Sequence, residues 1–225
     1  MKNRFEKTIK LCLIVLFMGF FSVEVHSKPL EAEFIGNEAF RITDGDYILM
    51  IDFPYQSGAY GSMEYDFFFP GTTGKVLSLI THRHLDHFDP ILFSEQKWKI
   101  VGPKEVTVAL ARDKVLKLRP NVAFGPIHIT PQKSAHGNTE HYSYLVNWHG
   151  LQLFFTGDTE DVGQLKNLPE LDALFITSWF YRKAKMNDAL PETKKIIIYH
   201  HKEKDIVPGC SGCIIPVQKQ IIDIK

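Results

Sequence analysis

Cysteine is scarce in this sequence of 225 residues, which contains three: Cys12, Cys210 and Cys213. Cys12 lies in an apolar N-terminal run, so the rest of the chain has only the Cys-Ser-Gly-Cys pair. One such pair cannot supply a four-cysteine zinc site, and no helix-opening motif around it indicates thioredoxin-like redox chemistry. We therefore predict that Cys210 and Cys213 form a local disulfide with a structural role.

A net charge is also lacking, because 26 lysine and arginine residues balance 26 aspartate and glutamate residues. A balanced chain argues against nonspecific electrostatic capture of nucleic acid or of an anionic membrane surface. We therefore expect a small-molecule partner, no nucleic-acid partner, and no membrane association of the mature chain. The composition does not predict the oligomeric state.

The sequence has no apolar run of the roughly 20 residues that a membrane-spanning helix needs. An apolar run of eleven residues, 11–21 (LCLIVLFMGFF), follows a basic stretch and is followed by the small residue Ser27. This order is typical of a secretory signal peptide. We predict that residues 1–27 are removed and that the remainder is exported to the periplasm or the extracellular space. An uncleaved membrane anchor is the alternative.

Repeats, low-complexity tracts and linkers are absent from the sequence, so we expect residues 28–225 to form one domain. No Ser-His-Asp or Cys-His arrangement for nucleophilic catalysis is recognisable. What the chain does have is a concentration of histidine and aspartate directly after the run 74–81 (GKVLSLIT), which is apolar and β-branched enough to be a buried strand. The ligand-type residues of this loop are His82, His84, Asp86 and His87.

The spacing of these four residues suits two adjacent metal ions. His82 and His84 are two residues apart, so they point to the same side of a chain that is still extended. Asp86 and His87 fall where the chain turns, because Asp89 followed by proline predicts a helix N-cap and first residue. Imidazole nitrogen and carboxylate oxygen are ligands that zinc accepts. The loop therefore predicts a metal site at the end of a strand.

Residues 81–87 (THRHLDH) resemble the T-H-x-H-x-D-H signature of the metallo-β-lactamase-fold hydrolases. The resemblance covers 34–200 and implies an α+β fold, a four-layer αββα sandwich of two mixed sheets with the metals at one edge. The predicted strands 34–43 and 47–53 flank an Asp-Gly turn, a strong hairpin signal. This opening hairpin is most similar to the ascorbate-6-phosphate lactonase-like branch.

The resemblance also implies the ligands that complete the site. His136 precedes a predicted hairpin, with His141 as the alternative ligand, and Asp158 ends that hairpin in Gly-Asp-Thr. His200 ends the predicted strand 195–201, with His201 as the alternative. His141 and His149 are otherwise predicted to be solvated strand-end residues. The implied metal ligands are His82, His84, Asp86, His87, His136, Asp158 and His200, with Asp158 shared by both metals.

This ligand set implies two zinc ions, with iron or manganese as alternatives, and a shared hydroxide that attacks the substrate. Asp86 is the predicted catalytic residue, orienting the proton of that hydroxide. The expected reaction is hydrolysis of a small ester, lactone, thioester or phosphodiester. The alternatives are an iron-dependent oxidoreductase on the same fold, or a metal-holding domain that binds a partner without turning anything over.

Three further predictions concern the surroundings of the site. Asp52, at the end of a strand, either supports the metal loop or is an ordinary strand-end carboxylate. The aromatic loop 54–74 either covers the active site as a lid or packs in the core. A helix is predicted over 104–117, a strand over 122–130 and a small-residue loop over 133–138. Arg83, Arg182 and Lys183 either contact a substrate phosphate or are solvated surface charges.

Overall fold

The computed structural model describes residues 29–202 and 210–224 of the chain. The predicted signal peptide, residues 1–27, lies outside the described residues. Within the described ranges, no helix has the length and apolarity needed to cross a membrane.

The described chain is dominated by strands, with short helices between them. The strands are β1 (Leu30–Gly36), β2 (Ala39–Thr43), β3 (Tyr47–Ile51), β4 (Lys75–Leu79), β5 (Lys99–Val101), β6 (Val122–Phe124), β7 (Ile127–His136), β8 (Thr139–Trp148), β9 (Leu151–Phe155), β10 (Ala173–Thr177), β11 (Ile196–Tyr199) and β12 (Ile221–Ile224). The α-helices are α1 (Pro90–Ser94), α2 (Lys104–Thr107) and α3 (Ser178–Met186), and Ala59–Gly61 and Val162–Leu165 form 3₁₀ turns.

Two six-stranded mixed sheets are formed, with the orders β12-β1-β2-β3-β4-β5 and β11-β10-β9-β8-β7-β6. In the first sheet β1 to β3 are antiparallel, whereas β3, β4 and β5 are parallel. In the second sheet β6 to β9 are antiparallel, whereas β9, β10 and β11 are parallel. This confirms the predicted sandwich of two mixed sheets.

The main core lies between the two sheets, because each sheet turns one apolar face inward. Aromatic rings join the sheets there: the ring centroids of Phe40 and Phe175 are 5.0 Å apart, and Phe155 stacks on Phe175 at 4.4 Å. On the outer faces, α1 buries Phe93 against the first sheet, and α3 buries Phe180 against the second. The helices therefore form the outer layers.

The predicted strand 34–43 is wrong as a single element. A turn at Asn37 and Glu38 divides it into β1 and β2, which pair antiparallel with Phe34 opposite Phe40. Asn37 has φ 53°, in the left-handed region that asparagine tolerates better than most residues. The Asp-Gly hairpin between β2 and β3 is confirmed.

The predicted helix 104–117 is also largely wrong, because α2 ends at Thr107. Residues near 115 instead run beside the edge strand β5: the Ile100 N–H donates to Lys114 O at 2.9 Å, and the Leu116 N–H donates to Ile100 O at 2.9 Å. Edge strands have unpaired backbone groups, and here extended chain satisfies them at the expense of the helix.

Two predictions about the middle of the chain need correction. The strand predicted over 122–130 is divided by a turn at Gly125, which has φ 60°. The loop predicted over 133–138 is the end of β7, whose pairing with β8 continues to His136 opposite Thr139. The N-cap prediction is confirmed: the Asp89 carboxylate accepts from the backbone N–H groups of Ile91 and Leu92.

The C-terminal segment contacts both sheets. Cys210 and Cys213 form the predicted disulfide. Ile214 then pairs with β11 on the second sheet, through Ile198 N–H to Ile214 O at 2.8 Å and Ile214 N–H to Ile196 O at 2.9 Å. Further along, β12 pairs antiparallel with β1 and completes the first sheet.

Candidate metal centre

Strand ends from both sheets meet at one edge of the sandwich. Asp52 follows β3, the loop 81–87 follows β4, and Asp158 and His200 follow β9 and β11. The β1–β2 turn and the end of β7 reach the same edge. Because parallel strands end on the same side of a sheet, residues far apart in sequence become neighbours here.

Three histidines form a first group of potential ligands, named here the histidine group: His82, His84 and His136. One ligand atom from each lies within 4.8 Å of the others. His82 Nδ1 lies 3.1 Å from the Thr81 hydroxyl, and His136 Nδ1 lies 3.1 Å from Asp158 O, so the Nε2 atoms face the group, where His82 Nε2 lies 2.9 Å from His84 Nδ1.

A second group, named here the carboxylate group, contains Glu38, His87, Asp158 and His200. Its ligand atoms also lie within 4.8 Å of one another. Asp86 is outside this tightest set but close to it, with Oδ2 at 3.6 Å from His200 Nε2 and Oδ1 at 4.0 Å from His87 Nε2. The structure thus brings together all seven residues predicted from the sequence, and adds Glu38.

Asp158 reaches both groups. Its Oδ2 lies 3.4 Å from His87 Nε2 and 3.7 Å from His200 Nε2 in the carboxylate group, and 3.8 Å from His136 Nε2 in the histidine group. A carboxylate in this place is suited to be shared by two ions. Asp158 therefore lies between the two groups.

Unsatisfied polar atoms support a cation at this place. Among the described residues, buried atoms without a hydrogen-bond partner include both oxygens of Glu38, Oδ1 of Asp86, Oδ1 of Asp158 and Nε2 of His87. Buried polar atoms are almost always paired, and buried carboxylates need a compensating positive charge. The residues present therefore fit bound metal ions.

Asp52 supports the metal loop, which is the first of the two roles predicted for it. Its Oδ1 accepts from the Thr81 N–H at 2.7 Å, and its Oδ2 lies 2.9 Å from the Thr81 hydroxyl and 3.1 Å from His87 Nδ1. It has φ 42°, an uncommon backbone conformation that these contacts stabilise. Asp52 thereby turns His87 Nε2 towards the carboxylate group.

The prediction that His141 is solvated is wrong, since its side chain is fully buried. Its Nε2 accepts from the Asp158 N–H at 3.0 Å, and its Nδ1 lies 2.7 Å from the Ser134 hydroxyl. Both ring nitrogens are therefore occupied by the protein, whereas His136 offers a nitrogen to the site. His141 positions the backbone of Asp158.

The other predicted alternatives can also be placed. His200, with φ 49°, directs its ring into the carboxylate group, whereas His201 lines the adjacent cavity. His149 is partly exposed and its Nε2 lies 2.7 Å from Asp44 Oδ2, away from the site.

The electrostatics differ between the two groups. Burial lowers the pKa of His82, of His84 and of His200, which favours the neutral imidazole that binds metals. Burial alone would also lower the pKa of His87, but Glu38, Asp158 and Asp52 raise it well above its ordinary value. The carboxylate group thus stabilises a positive charge located between its side chains.

The carboxylic acids respond to the same surroundings. Burial, followed by the charge of Asp158, raises the pKa of Glu38 well above its ordinary value. Burial would raise the pKa of Asp158 as well, but His87 and the other neighbouring groups lower it well below its ordinary value. The carboxyl group of Asp158 therefore holds a negative charge more readily than that of Glu38.

A cavity of about 580 Å³ opens over the two groups. His84, Asp86, His136, Asp158 and His200 form part of its lining. The rest of the lining is Tyr60, Gly61, Ser62, Met63, Ser178, Trp179, Arg182, His201 and Lys202.

The aromatic loop contributes residues both to the cavity and to the core. Tyr60 is exposed at the cavity and its ring centroid lies 5.4 Å from that of His84. Tyr55 is buried, and Phe67 stacks on Phe53 with ring centroids 6.1 Å apart, so this part of the loop packs on the first sheet.

Of the three cations considered as phosphate contacts, two have protein partners. Arg83 Nε lies 2.9 Å from Glu105 Oε2, and Lys183 Nζ lies 3.2 Å from Glu160 Oε2. Arg182 lines the cavity. It is the one of the three that the structure places beside the ligand groups.

Comparison with known proteins adds fold evidence to this geometry. No protein-family model and no curated protein matches this chain. Solved structures do: a protein from Veillonella parvula named as a metal-dependent hydrolase has a TM-score of 0.68 at 15% identity, with 86% of this chain and 99% of that chain covered.

Two further structures are similar. The metallo-β-lactamase fold protein YhfI from Bacillus subtilis has a TM-score of 0.61 at 14% identity, covering 87% of this chain and 99% of that one. The isothiocyanate hydrolase from Delia radicum gut bacteria has a TM-score of 0.60 at 14% identity, covering 85% and 98%. The chain therefore has the metallo-β-lactamase fold, which it shares with structures named as metal-dependent hydrolases.

Proposed function

We propose that this protein is a dinuclear metal-dependent hydrolase of a small substrate, with zinc as the expected metal. The observation that carries the proposal is the meeting of the histidine group and the carboxylate group at Asp158, beneath one cavity. His82, His84 and His136 would hold one ion. Glu38, His87 and His200, with Asp86 beside them, would hold the other, and Asp158 would be shared.

Bound divalent metals in such sites activate water and polarise a carbonyl or phosphoryl oxygen. The chain supplies the rest. Asp86 lines the cavity, so its carboxylate is placed to accept a proton from a reacting water. Tyr60 and Trp179 give the cavity apolar walls that position a small substrate.

The expected substrate class is a small ester, lactone, thioester or phosphodiester. Lactones are included because the opening hairpin resembles that of the ascorbate-6-phosphate lactonase-like branch. Arg182 at the cavity supports an acidic group on the substrate. Isothiocyanates join the panel because a similar structure is named for their hydrolysis.

An iron-dependent oxidoreductase is the second candidate, favoured by one observation. Glu38, Asp86 and Asp158 place three carboxylates near the second position, and iron accepts such oxygen ligands together with imidazole. The metal-holding domain without catalysis is disfavoured, because such a domain has no chemical need for an open cavity over its ligands.

The first experiment measures the metal content of protein purified without added metal, then hydrolysis of the substrate panel. Close to two zinc ions per chain with hydrolytic turnover is expected. Asp158→Ala should lose at least one ion and hydrolysis, whereas Glu160→Gln, a nearby exposed carboxylate, should retain both. Two bound iron ions and no hydrolysis would instead indicate the oxidoreductase, and wild-type hydrolysis by Asp158→Ala would exclude the dinuclear site.

We also propose that the protein is exported. The supporting observations are the signal-peptide pattern of residues 1–27 and the Cys210–Cys213 disulfide, a bond typical of oxidising compartments. Expression of the full sequence in a bacterium should yield an exported chain that begins at Lys28. A chain that starts at Met1 and stays with the membrane would identify an uncleaved anchor.

A further inference from the structure

Glu38 is placed at the site by the turn that divides the first predicted strand. Asn37, in the left-handed region, donates from Nδ2 to Asp86 O at 2.9 Å and accepts from the His200 N–H at 3.1 Å. The turn is therefore bonded to two segments that carry metal ligands. These bonds fix the direction in which Glu38, the next residue, enters the site.

The polar neighbours of the Glu38 carboxyl group are themselves candidate metal ligands. Its side chain is 0% exposed, and neither oxygen has a hydrogen-bond partner among the described residues. Both neighbouring imidazoles approach the same oxygen, with His87 Nε2 and His200 Nε2 each 3.2 Å from Oε1. A buried carboxylate in this state is destabilising unless a cation joins it.

The distances in the carboxylate group fit ligands around one ion. Metal–ligand distances of about 2.0 to 2.2 Å place neighbouring ligand atoms of a tetrahedral site roughly 3.3 to 3.6 Å apart. Glu38 Oε1 is 3.2 Å from both histidine nitrogens, and His87 Nε2 is 3.4 Å from Asp158 Oδ2. Glu38 therefore occupies a ligand position and not merely a neighbouring one.

Glu38 and Asp86 lie on different sides of this position. Asp86 lines the cavity, whereas Glu38 is not among the described residues that line it. Asp86 Oδ2 is 3.6 Å from His200 Nε2, farther than Glu38 Oε1. The deep carboxylate is thus placed for the ion, and the cavity-facing one for the substrate.

We propose that Glu38, assigned above to the second metal position, makes that position bind oxygen-seeking metals such as manganese(II) more tightly than the histidine group does. This inference rests on the proposed dinuclear site. The histidine group offers three neutral nitrogens, which suit zinc, whereas the second position combines two imidazoles with Glu38 and the shared Asp158. Manganese(II) is therefore expected to bind at the second position and not in the histidine group.

Metal titration tests the ligand role without reference to any substrate. Chelator-stripped wild-type protein, Glu38→Gln and Glu33→Gln are titrated with zinc against a chromophoric competitor. Glu33 is the matched control, a partly exposed glutamate of β1 that pairs with Arg41. We expect Glu38→Gln to bind one ion normally and the second roughly tenfold or more weakly. Two ions bound with wild-type affinity would overturn the proposal.

Thermal unfolding distinguishes this result from a folding defect. Stripped Glu38→Gln should unfold at the same or a higher temperature than stripped wild type, because glutamine keeps the shape of the side chain and cannot add a buried negative charge. Its rise in Tm on adding zinc should be smaller than that of wild type. If stripped Glu38→Gln unfolds well below stripped wild type, Glu38→Asp replaces it in the titration. The ligand role would then be overturned if Glu38→Asp bound the second ion as weakly as Glu38→Gln does.

The metal preference is measured with one equivalent each of zinc and manganese(II). In wild type we expect zinc in the histidine group and manganese in the second position, seen as loss of the free manganese EPR signal. Glu38→Gln should leave most manganese free, and Glu33→Gln should behave as wild type. Manganese that stays free in wild type would overturn the preference. The outcome does not depend on whether any ester is hydrolysed.

Discussion

Single residues around the site hold each imidazole in one orientation. Thr81 contacts His82 Nδ1, and Asp52 contacts His87 Nδ1, each within 3.1 Å. Partners of this kind select which ring nitrogen faces a metal. His141 acts one step further out, because its Nε2 accepts the backbone N–H of Asp158.

His141→Ala tests this supporting role. Burial lowers the pKa of His141 to about 3, so the neutral ring accepts from Asp158 throughout the physiological range. The variant leaves the Asp158 N–H and Ser134 hydroxyl without that partner, and we expect a loss of about 2 to 3 kcal/mol in the free energy of unfolding. Chemical denaturation measures it.

His128→Ala is the control for this variant, since His128 is exposed on the neighbouring strand β7. Its unfolding free energy should stay within roughly 0.5 kcal/mol of wild type. Equal stabilities of the two variants would show that the His141 contacts contribute nothing.

The sequence allowed the ligands of the 81–87 loop to be predicted because they are close together and follow an apolar strand. Glu38 could not be found in this way, since the run around it is consistent with a continuous strand in which one glutamate has no distinguishing mark. The available signal was Asn37, a residue that favours turns. His141 was misjudged because strand alternation does not show which histidine the second sheet buries.

At the scale of elements, two hairpin turns from opposite sheets are joined away from the metal site. Asp44, at the β2–β3 turn, accepts from the backbone N–H groups of Asp46 and Tyr47, each at 2.8 Å. His149, at the β8–β9 turn, lies 2.7 Å from the other oxygen of Asp44. The side chain of Asp44 is 1% exposed.

Asp44→Asn should lower stability at neutral pH by about 1 to 2 kcal/mol. Burial opposes ionisation, but the hydrogen bonds from Tyr47, His149 and Asp46 outweigh it and lower the pKa of Asp44. A lowered pKa stabilises the fold above the unfolded-state value, and this contribution is lost as the pH falls through the folded-state value. The difference between variant and wild type should therefore shrink below about pH 4.

Denaturant titrations between neutral and acid pH check this dependence. Asp113→Asn, an exposed carboxylate, is the control and should show no such trend. A constant difference between Asp44→Asn and wild type at every pH would show that the carboxylate charge is not involved.

Elements were predicted well where burial determined them. The strands preceding the metal loop, Asp158 and His200 were recognised by apolar runs, and α1 by its N-cap and proline. The helix predicted over 104–117 is wrong, because this segment pairs with the open edge of β5. Local helix propensity does not reveal that pairing.

For the molecule as a whole, the disulfide lies directly before Ile214, which pairs with β11, the strand that leads to His200. The bond closes a loop of very few residues, so the Cys210→Ser/Cys213→Ser variant should lose about 2 kcal/mol of stability or less. Thermal unfolding with and without reductant measures this effect. Reductant should destabilise wild type to the level of the variant and leave the variant unchanged.

Metal binding serves as the control for this prediction. Both proteins should bind metal with the same stoichiometry, because the cysteines lie outside both ligand groups. A change in stoichiometry on reduction would assign the pair a redox role at the site.

The overall fold followed from the resemblance of a seven-residue motif, supported by the order of strands and hairpins. Export stays a prediction, since residues 1–27 lie outside the described structure. No feature of the sequence predicted that β12 closes the first sheet, because pairing between remote strands depends on the whole topology.

The pairing of β1 with β12 has a kinetic consequence. Glu33 lies opposite Ile221, so nearly the whole described chain separates the two strands. Closing so long a loop costs entropy before any contact is gained, and such pairings form slowly. During refolding, the amides of β12 should therefore acquire protection from solvent exchange after those of the β2–β3 hairpin. The pairing of β12 with β1 then completes the first sheet.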